Sequence, residues 1–259
     1  MVGKPRRGIV PEATAQGARR PRPTLERMLI LFDIDATLIN TSRSGILALA
    51  DAGRELFGPA FTVDRTEFAG RLDPLIIADL LRENGVPDTA DNRARLRDGY
   101  RRHIGGRLQA PGTCRTLPGV VELIAALRAT PGTTIGLLTG NFEDTGCLKL
   151  RACGIDPDHF PVCVWGDHSP HDPPSRDHLP PLALSKYHRC TGRQLAPASA
   201  TIIGDTPHDV RCALATGMRC LGVATGHFSA QQLRNAGAHR AVDNLSQTED
   251  VLSWLLGRG

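Results

Sequence analysis

The chain has 259 residues, 41% hydrophobic and 22% charged, enough for a sizeable core and ordinary for a soluble globular protein. Aromatics at 4% are too few for a base-stacking surface. The net charge of +4 sits in residues 1–27, where seven basic residues face Glu12 and Glu26, so the remainder is slightly acidic and no nucleic-acid partner is expected. This first segment is rich in Pro, Gly and Arg without apolar periodicity, and is expected to be a disordered, dispensable tail. It lacks a secretory apolar core, and Pro5, Pro11, Pro21 and Pro23 oppose an amphipathic presequence helix. A second reading puts the tail outside the natural product, because Met28 heads the first strand. No run approaches membrane-spanning length, so no membrane partner is expected. Seven scattered cysteines without a C-x-x-C pair suggest reduced thiols in a cytoplasmic protein.

The first strand is the unbroken apolar run from Met28 to Phe32. A helix follows, N-capped by Thr41 or Ser42 and stopped by Gly58-Pro59. Pro74 lies early in a second helix ending near Gly85, and a more polar third helix covers about Asp91 to Ile104. Strand and helix then alternate: a helix opened by Pro118, strand Thr134–Leu138, helix Phe142–Ala152 and strand Val162–Trp165. After a Pro-rich loop come helix Leu182–Cys190, strand Thr201–Ile203, helix Asp209–Thr216 and strand Arg219–Ala224. Helix Ala230–Ala236, strand Arg240–Val242 and helix Thr248–Leu256 complete the chain. The pattern predicts an α/β fold, a doubly wound parallel sheet with a Rossmann-like core and an inserted all-helical domain. The expected divisions are a tail at 1–27, a core at 28–40 plus 115–259, and the insert at 41–114.

Chemistry concentrates at the strand ends, where open α/β sheets place their ligands. The first strand runs into Asp33-Ile34-Asp35-Ala36-Thr37, two carboxylates that repel one another unless a cation or proton intervenes. They could also simply cap a strand-to-helix turn. Leu138-Thr139-Gly140-Asn141 offers a hydroxyl and a helix N-terminus to an anion, or a plain N-cap. Gly204-Asp205 and Asp209 read in isolation as an Asx-turn and N-cap; beside Asp33 and Asp35, a hard-cation site accounts for them better. Gathering these acids around a phosphate requires further positive charge, and Arg176 and Lys186 are the two candidates, each equally readable as a surface cation.

Taken in order, these motifs resemble those of the haloacid dehalogenase superfamily, in particular its phosphoglycolate phosphatase-like members. Asp33-Ile34-Asp35-Ala36-Thr37 matches the family's Asp-x-Asp-x-Thr. Thr139-Gly140-Asn141 with Lys149-Leu150 matches its second motif, and Gly204-Asp205-Thr206-Pro207-His208-Asp209 its Gly-Asp-x-x-x-Asp. The helical insert is similar to the family's cap, and Phe68-Ala69-Gly70-Arg71-Leu72-Asp73 to its substrate-facing loop. Arg176-Asp177-His178-Leu179-Pro180-Pro181 resembles the Arg-containing form of the counter-charge motif, which favours Arg176 over Lys186. Two departures stand out. Position 36, usually Gly, is Ala; if the backbone needs φ > 0 there, Ala costs on the order of 1 kcal/mol. The loop 167–181 is long and carries His168, His171 and His178, which read as a polar surface loop in preference to a second metal site because no tight ligand spacing is present.

The resemblance implies Mg²⁺-dependent hydrolysis of a small phosphate monoester, phosphoglycolate-like or a sugar phosphate, through an aspartyl phosphate. Asp33 would be the nucleophile and Asp35 the general acid and base, with Thr139 and Arg176 stabilising the phosphoryl group. Asp33, the Asp35 carbonyl and Asp205 would hold the metal, supported by Asp209. Thr37, Gly140, Asn141, Arg71 and Lys186 would serve substrate binding. A dehalogenase would have no use for Asp35, because halide leaves without a proton. The alternatives are a phosphomutase of the same superfamily and a non-catalytic phosphate sensor, the latter disfavoured by the presence of both aspartates. The expected partner is a small phosphate ester, and the expected state a monomer or homodimer.

Overall fold

The computed structural model describes residues 27–258 together with residues 1 and 3, so the expectation of a disordered tail lies outside the described residues. In chain order the elements are β1 (Met28–Phe32), β2 (Ile39–Asn40), α1 (Ser44–Phe57), α2 (Asp73–Glu83), α3 (Ala90–Leu108) and β3 (Arg115–Thr116). Then follow α4 (Val120–Ala129), β4 (Thr133–Leu138), α5 (Glu143–Ala152), β5 (Val162–Val164), α6 (Leu179–Thr191) and β6 (Ala200–Gly204). The last are α7 (Pro207–Ala215), β7 (Arg219–Val223), α8 (Ala230–Asn235), β8 (Arg240–Val242) and α9 (Thr248–Leu255).

Six strands form one parallel sheet in the order β5-β4-β1-β6-β7-β8, the doubly wound arrangement. The apolar run of β1 explains its central place, since Leu29 to Phe32 are fully buried with helices on both faces. Alternation divides the strand between two cores. Ile30 and Phe32 join the side chains of α4, α5 and α9, while Leu29 and Leu31 join those of α6, α7 and α8. The order reverses at β1, and the crevice above it is where such a sheet receives a ligand.

Helices α1–α3 surround a third apolar cluster that includes Leu49, Ile77, Leu80, Leu96, Tyr100 and Ile104. The chain enters and leaves this insert through a two-stranded ladder, with Ile39 opposite Thr116 and Asn40 opposite Arg115. Two residues per strand are too few for any periodicity, which is why the sequence reading contains neither β2 nor β3. The expected cap of α1 also changes. The helix begins at Ser44 behind Arg43, because the Ser42 N–H binds Asn40 Oδ1 at 2.8 Å and its hydroxyl donates to the Thr113 carbonyl at 3.2 Å. Helix α6 starts three residues earlier than expected, since Pro180 and Pro181 occupy its first turn, where a missing N–H costs nothing.

The turn after β1 is tight. Ile34 O accepts from the N–H groups of Leu38 and Ile39, and Ala36 takes the left-handed region at φ 57°. Ala36→Gly relieves that backbone while giving some unfolded-chain entropy back, for a net gain of about 0.5–1 kcal/mol. Urea unfolding of the two proteins measures it directly; equal or lower stability for the glycine form contradicts the strain.

Candidate active site

Three neighbouring strands deliver the acids and hydroxyls to one place. Asp33 follows β1, its N–H still bonded to Ile203 of β6; Thr139 follows β4; Asp205 follows β6. A cavity of about 190 Å³ opens above them, roofed by the helical insert. Asp33 is 5% exposed and Asp205 3%. Burial pushes the Asp33 carboxyl up to about 6, Arg176 opposing the rise and Asp209 and Asp35 adding to it. Burial likewise drives Asp205 well above the usual carboxylate range, reinforced by Asp209 and Asp33.

Arg176 enters from a short turn capped by Ser175, and its Nη2 donates to Asp33 Oδ1 at 3.2 Å and to Asp209 Oδ1 at 2.5 Å. Its Nη1 donates to the Gly70 carbonyl at 3.1 Å, tying the insert's loop to the buried acids. Asp209 is doubly used, because its Oδ2 also accepts from the Thr206 N–H and hydroxyl in a capping box that starts α7. Opposite Arg176 stands a second cation. Lys149 Nζ donates to Asp35 Oδ2 at 2.7 Å and to Asn141 Oδ1 at 2.6 Å. Asn141 Nδ2 donates to the same Asp35 oxygen at 2.9 Å and to Thr139 Oγ1 at 2.9 Å. Burial alone would lower the Lys149 ammonium; Asp35, Tyr100 and Asp73 hold it above the usual lysine range.

The loop between residues 68 and 73 closes directly on the core. Asp73 N–H donates to the Gly140 carbonyl at 2.7 Å, and Asp73 Oδ2 accepts from the Phe142 N–H at 3.0 Å, at the start of α5. A side chain at residue 140 would meet the Arg71 carbonyl at 2.0 Å, so the approach requires glycine. Burial raises Asp73 to about 6, with Lys149 and the Phe142 N–H pulling the other way. An acid raised from 3.8 to about 6 on folding contributes its full stability below pH 3.8 and loses it as pH rises through 6, a cost of up to about 3 kcal/mol above that window. Asp73→Asn keeps an oxygen for the Phe142 N–H, and is expected to stabilise the protein by about 1–3 kcal/mol at pH 7.5. The gain should shrink towards pH 4.5. Chemical unfolding at the two pH values checks this, and a destabilised variant at pH 7.5 contradicts it.

The sequence profile of haloacid dehalogenase-like hydrolases matches residues 30–223, from β1 through β7. The chain belongs to this family. Among its relatives are a probable phosphatase IndB of Dickeya dadantii, 29% identical over 88% of this chain and 94% of that one, and a phosphoglycolate phosphatase of Thiobacillus denitrificans, 27% identical over 84% and 92%. The crystal structure of CbbY from Rhodobacter sphaeroides in complex with phosphate superposes with a TM-score of 0.68 at 25% identity, over 86% of this chain and 96% of that one.

In this haloacid dehalogenase-like hydrolase, Asp33, Asp205 and Asp209 each offer an oxygen within 4.8 Å of the others. The donor set fits a hard divalent cation. Asp205 shows the need most clearly, being a buried carboxylate whose side-chain partner is the Thr37 hydroxyl at 3.4 Å. The Asp35 side chain stays outside this triad, bound to Lys149 and Asn141. Thr37 is buried against Asp205, while Gly140, Asn141 and Arg71 line the cavity. Lys186 does not reach the cavity; its Nζ donates to the Cys163 carbonyl at 2.5 Å and lies 3.2 Å from His168 Nδ1. His171 and His178 pack edge to face, and the aspartate triad is the one three-ligand cluster among the described residues. Lys149 belongs to the second motif, but its contact with Asn141 is not evident from their separation along the chain. An i to i+8 spacing into a following helix is the signal that was available.

Proposed function

We propose that the protein is a Mg²⁺-dependent phosphoric monoester hydrolase, acting on a small phosphoglycolate-like or sugar phosphate through an aspartyl phosphate on Asp33. The observation that carries this reading is the contrast between the surroundings of the two motif aspartates. Asp33 is buried against Arg176 and the Asp205–Asp209 pair, as a nucleophile beside a cation site requires. Asp35 is turned away from that pair, its side chain 42% exposed, as a proton carrier requires. The relatives named phosphatases and the phosphate complex of CbbY support the same chemistry.

Asp33 attacks phosphorus in line, and the bond from phosphorus to the ester oxygen breaks. Asp35 gives that oxygen its proton, then takes one from the water that cleaves the acyl phosphate, restoring Asp33 and releasing phosphate. Lys149 and Asn141 both occupy Asp35 Oδ2, leaving Oδ1, without a hydrogen bond among the described residues, to carry the proton. Thr139 and Arg176 would hold the equatorial oxygens. Mg²⁺ on Asp33, the Asp35 carbonyl and Asp205, with Asp209 behind, would offset the repulsion between carboxylate and phosphate. Helices α1–α3 would act as the cap that excludes water, with the 68–73 loop choosing the leaving group.

A panel of small phosphate monoesters, assayed for phosphate release with Mg²⁺ and with excess chelator, tests the proposal. Turnover of at least one ester that disappears with chelator is expected. Phosphate release unaffected by chelator removes the metal from the reading, and no release from any ester overturns it.

A further inference from the structure

Strand β7 lies beside β6 in the sheet, with Gly222 opposite Gly204, so the connection from β7 to α8 emerges next to Asp205. Two of its residues touch the acid site. Thr225 Oγ1 donates to the Ala36 carbonyl at 2.5 Å, reaching from the end of β7 to the turn after β1. Gly226 lies against Asp205: a Cβ there would meet Asp205 Oδ2 at 1.9 Å and the Ala36 Cβ at 3.3 Å. Gly226 is exposed and its φ is outside the left-handed region, so the close approach, not the backbone conformation, requires glycine. Ala36 is thereby held at both of its peptide groups. Its N–H donates to the Ile39 carbonyl at 2.8 Å within the turn, and its carbonyl is held by Thr225 from outside. The outside bond matters because Ala36 sits at φ 57°, a region that disfavours any residue with a side chain. The turn's own bond on that side is long, Thr37 N–H to Ile34 O at 3.3 Å.

From this geometry we infer that the β7–α8 connection sets the shape of the cation site, with Thr225 as a positioning residue and Gly226 as the seat of Asp205. The inference rests on the cation proposed at Asp33, Asp205 and Asp209, and it adds two residues to that site. Both lie beyond residue 223, where the match to the family profile ends. Ala36 joins Asp35, whose carbonyl belongs to the proposed ligand set, to Thr37, whose hydroxyl lies 3.4 Å from Asp205 Oδ1. Release of the Ala36 carbonyl lets the turn leave its left-handed form, and both neighbouring peptide groups rotate with it. Asp205 has little else to hold it, because that Thr37 contact is its one side-chain hydrogen bond among the described residues. A side chain at 226 would therefore displace the carboxylate, while the bare glycine lets it stand where Asp33 and Asp209 offer their oxygens.

The test reads metal binding without substrate, so that it does not depend on turnover. Mn²⁺, a divalent cation that takes the same oxygen ligands, is titrated into the full chain and followed by the paramagnetic resonance of the free ion. Thr225→Val keeps the shape and loses the hydroxyl; it is expected to weaken Mn²⁺ binding at least about fivefold, the worth of one hydrogen bond. Thr225→Ser should stay within about twofold of the unmodified protein, since it keeps the donor. Adding Ala36→Gly to Thr225→Val should recover at least about threefold, because glycine holds the left-handed turn without the clamp. A residue that only stabilised its own loop would show no such recovery. Gly226→Ala should weaken Mn²⁺ binding at least about tenfold, and urea unfolding of each variant verifies that it is folded. Thr225→Ala carries the same expectation should the valine form not fold. Undiminished binding in Thr225→Val, or a loss that Ala36→Gly does not repair, overturns the role of Thr225. Undiminished binding in Gly226→Ala overturns that of Gly226. Failure of the unmodified protein to bind Mn²⁺ removes the cation reading and this inference together. The expected binding pattern without phosphate release from any ester leaves this inference standing and removes the hydrolase reading.

Discussion

Asp33→Asn protein is expected to release no phosphate from any ester and to carry none covalently, because an amide oxygen does not attack phosphorus. Asp35→Asn should differ in kind. Its side chain lies outside the aspartate triad, so metal binding should persist while turnover falls about 10²–10⁴-fold, the usual worth of a general acid and base. With an aryl or acyl phosphate, whose leaving group needs no proton, the first step should partly recover and the second should stall. Mass spectrometry of quenched Asp35→Asn protein should then find phosphate on the peptide that contains Asp33. Full Mg²⁺-dependent activity in Asp33→Asn would sink the mechanism.

Replacing Arg176 should damage both activity and stability, and no other cation of the site is expected to do both so strongly. The guanidinium is 6% exposed and serves two carboxylates that are 7% and 0% exposed. Removing one partner of a buried ion pair leaves charge without compensation, a loss of about 3–5 kcal/mol. The lost contact to the phosphoryl group should cost a further 10²–10³-fold in kcat. Arg176→Lys keeps the charge but not the fork that reaches Asp33, Asp209 and Gly70 together, and should recover stability better than rate. Lys186→Ala should change the rate less than about threefold, because Lys186 is bonded to a backbone carbonyl away from the cavity. A mild Arg176→Ala and a severe Lys186→Ala would reverse the assignment of the counter-charge.

How far the sequence could be read followed from where each residue lies relative to a strand. The central strands β1, β4 and β6 were legible because each holds a short apolar run, and Asp33, Thr139 and Asp205 were legible because each comes directly after one. Asp209 was found through its fixed spacing from Asp205. Lys149 was quoted but given no task, since its reach back to Asp35 depends on the direction in which α5 leaves β4. The ion pair of Arg71 with Asp79 was hidden for a similar reason: eight residues separate them across the start of α2. The caps and ends of elements moved by a few residues wherever a side chain had a tertiary partner, as Ser42 does with Thr113.

The ladder of β2 and β3 carries a consequence for how this chain can vary. In connectivity, β2 and β3 form a hairpin, and residues 41–114 occupy the position of its turn. A hairpin constrains its connection only through the separation of two paired strand ends, and two residues suffice to join them. A segment that begins and finishes at that separation therefore satisfies this ladder, provided that it also supplies what the 68–73 loop gives the core through Gly70 and Asp73. If the insert chooses the leaving group, as proposed, exchange of residues 41–114 changes specificity while the strand ends bearing Asp33, Thr139 and Asp205 keep their register.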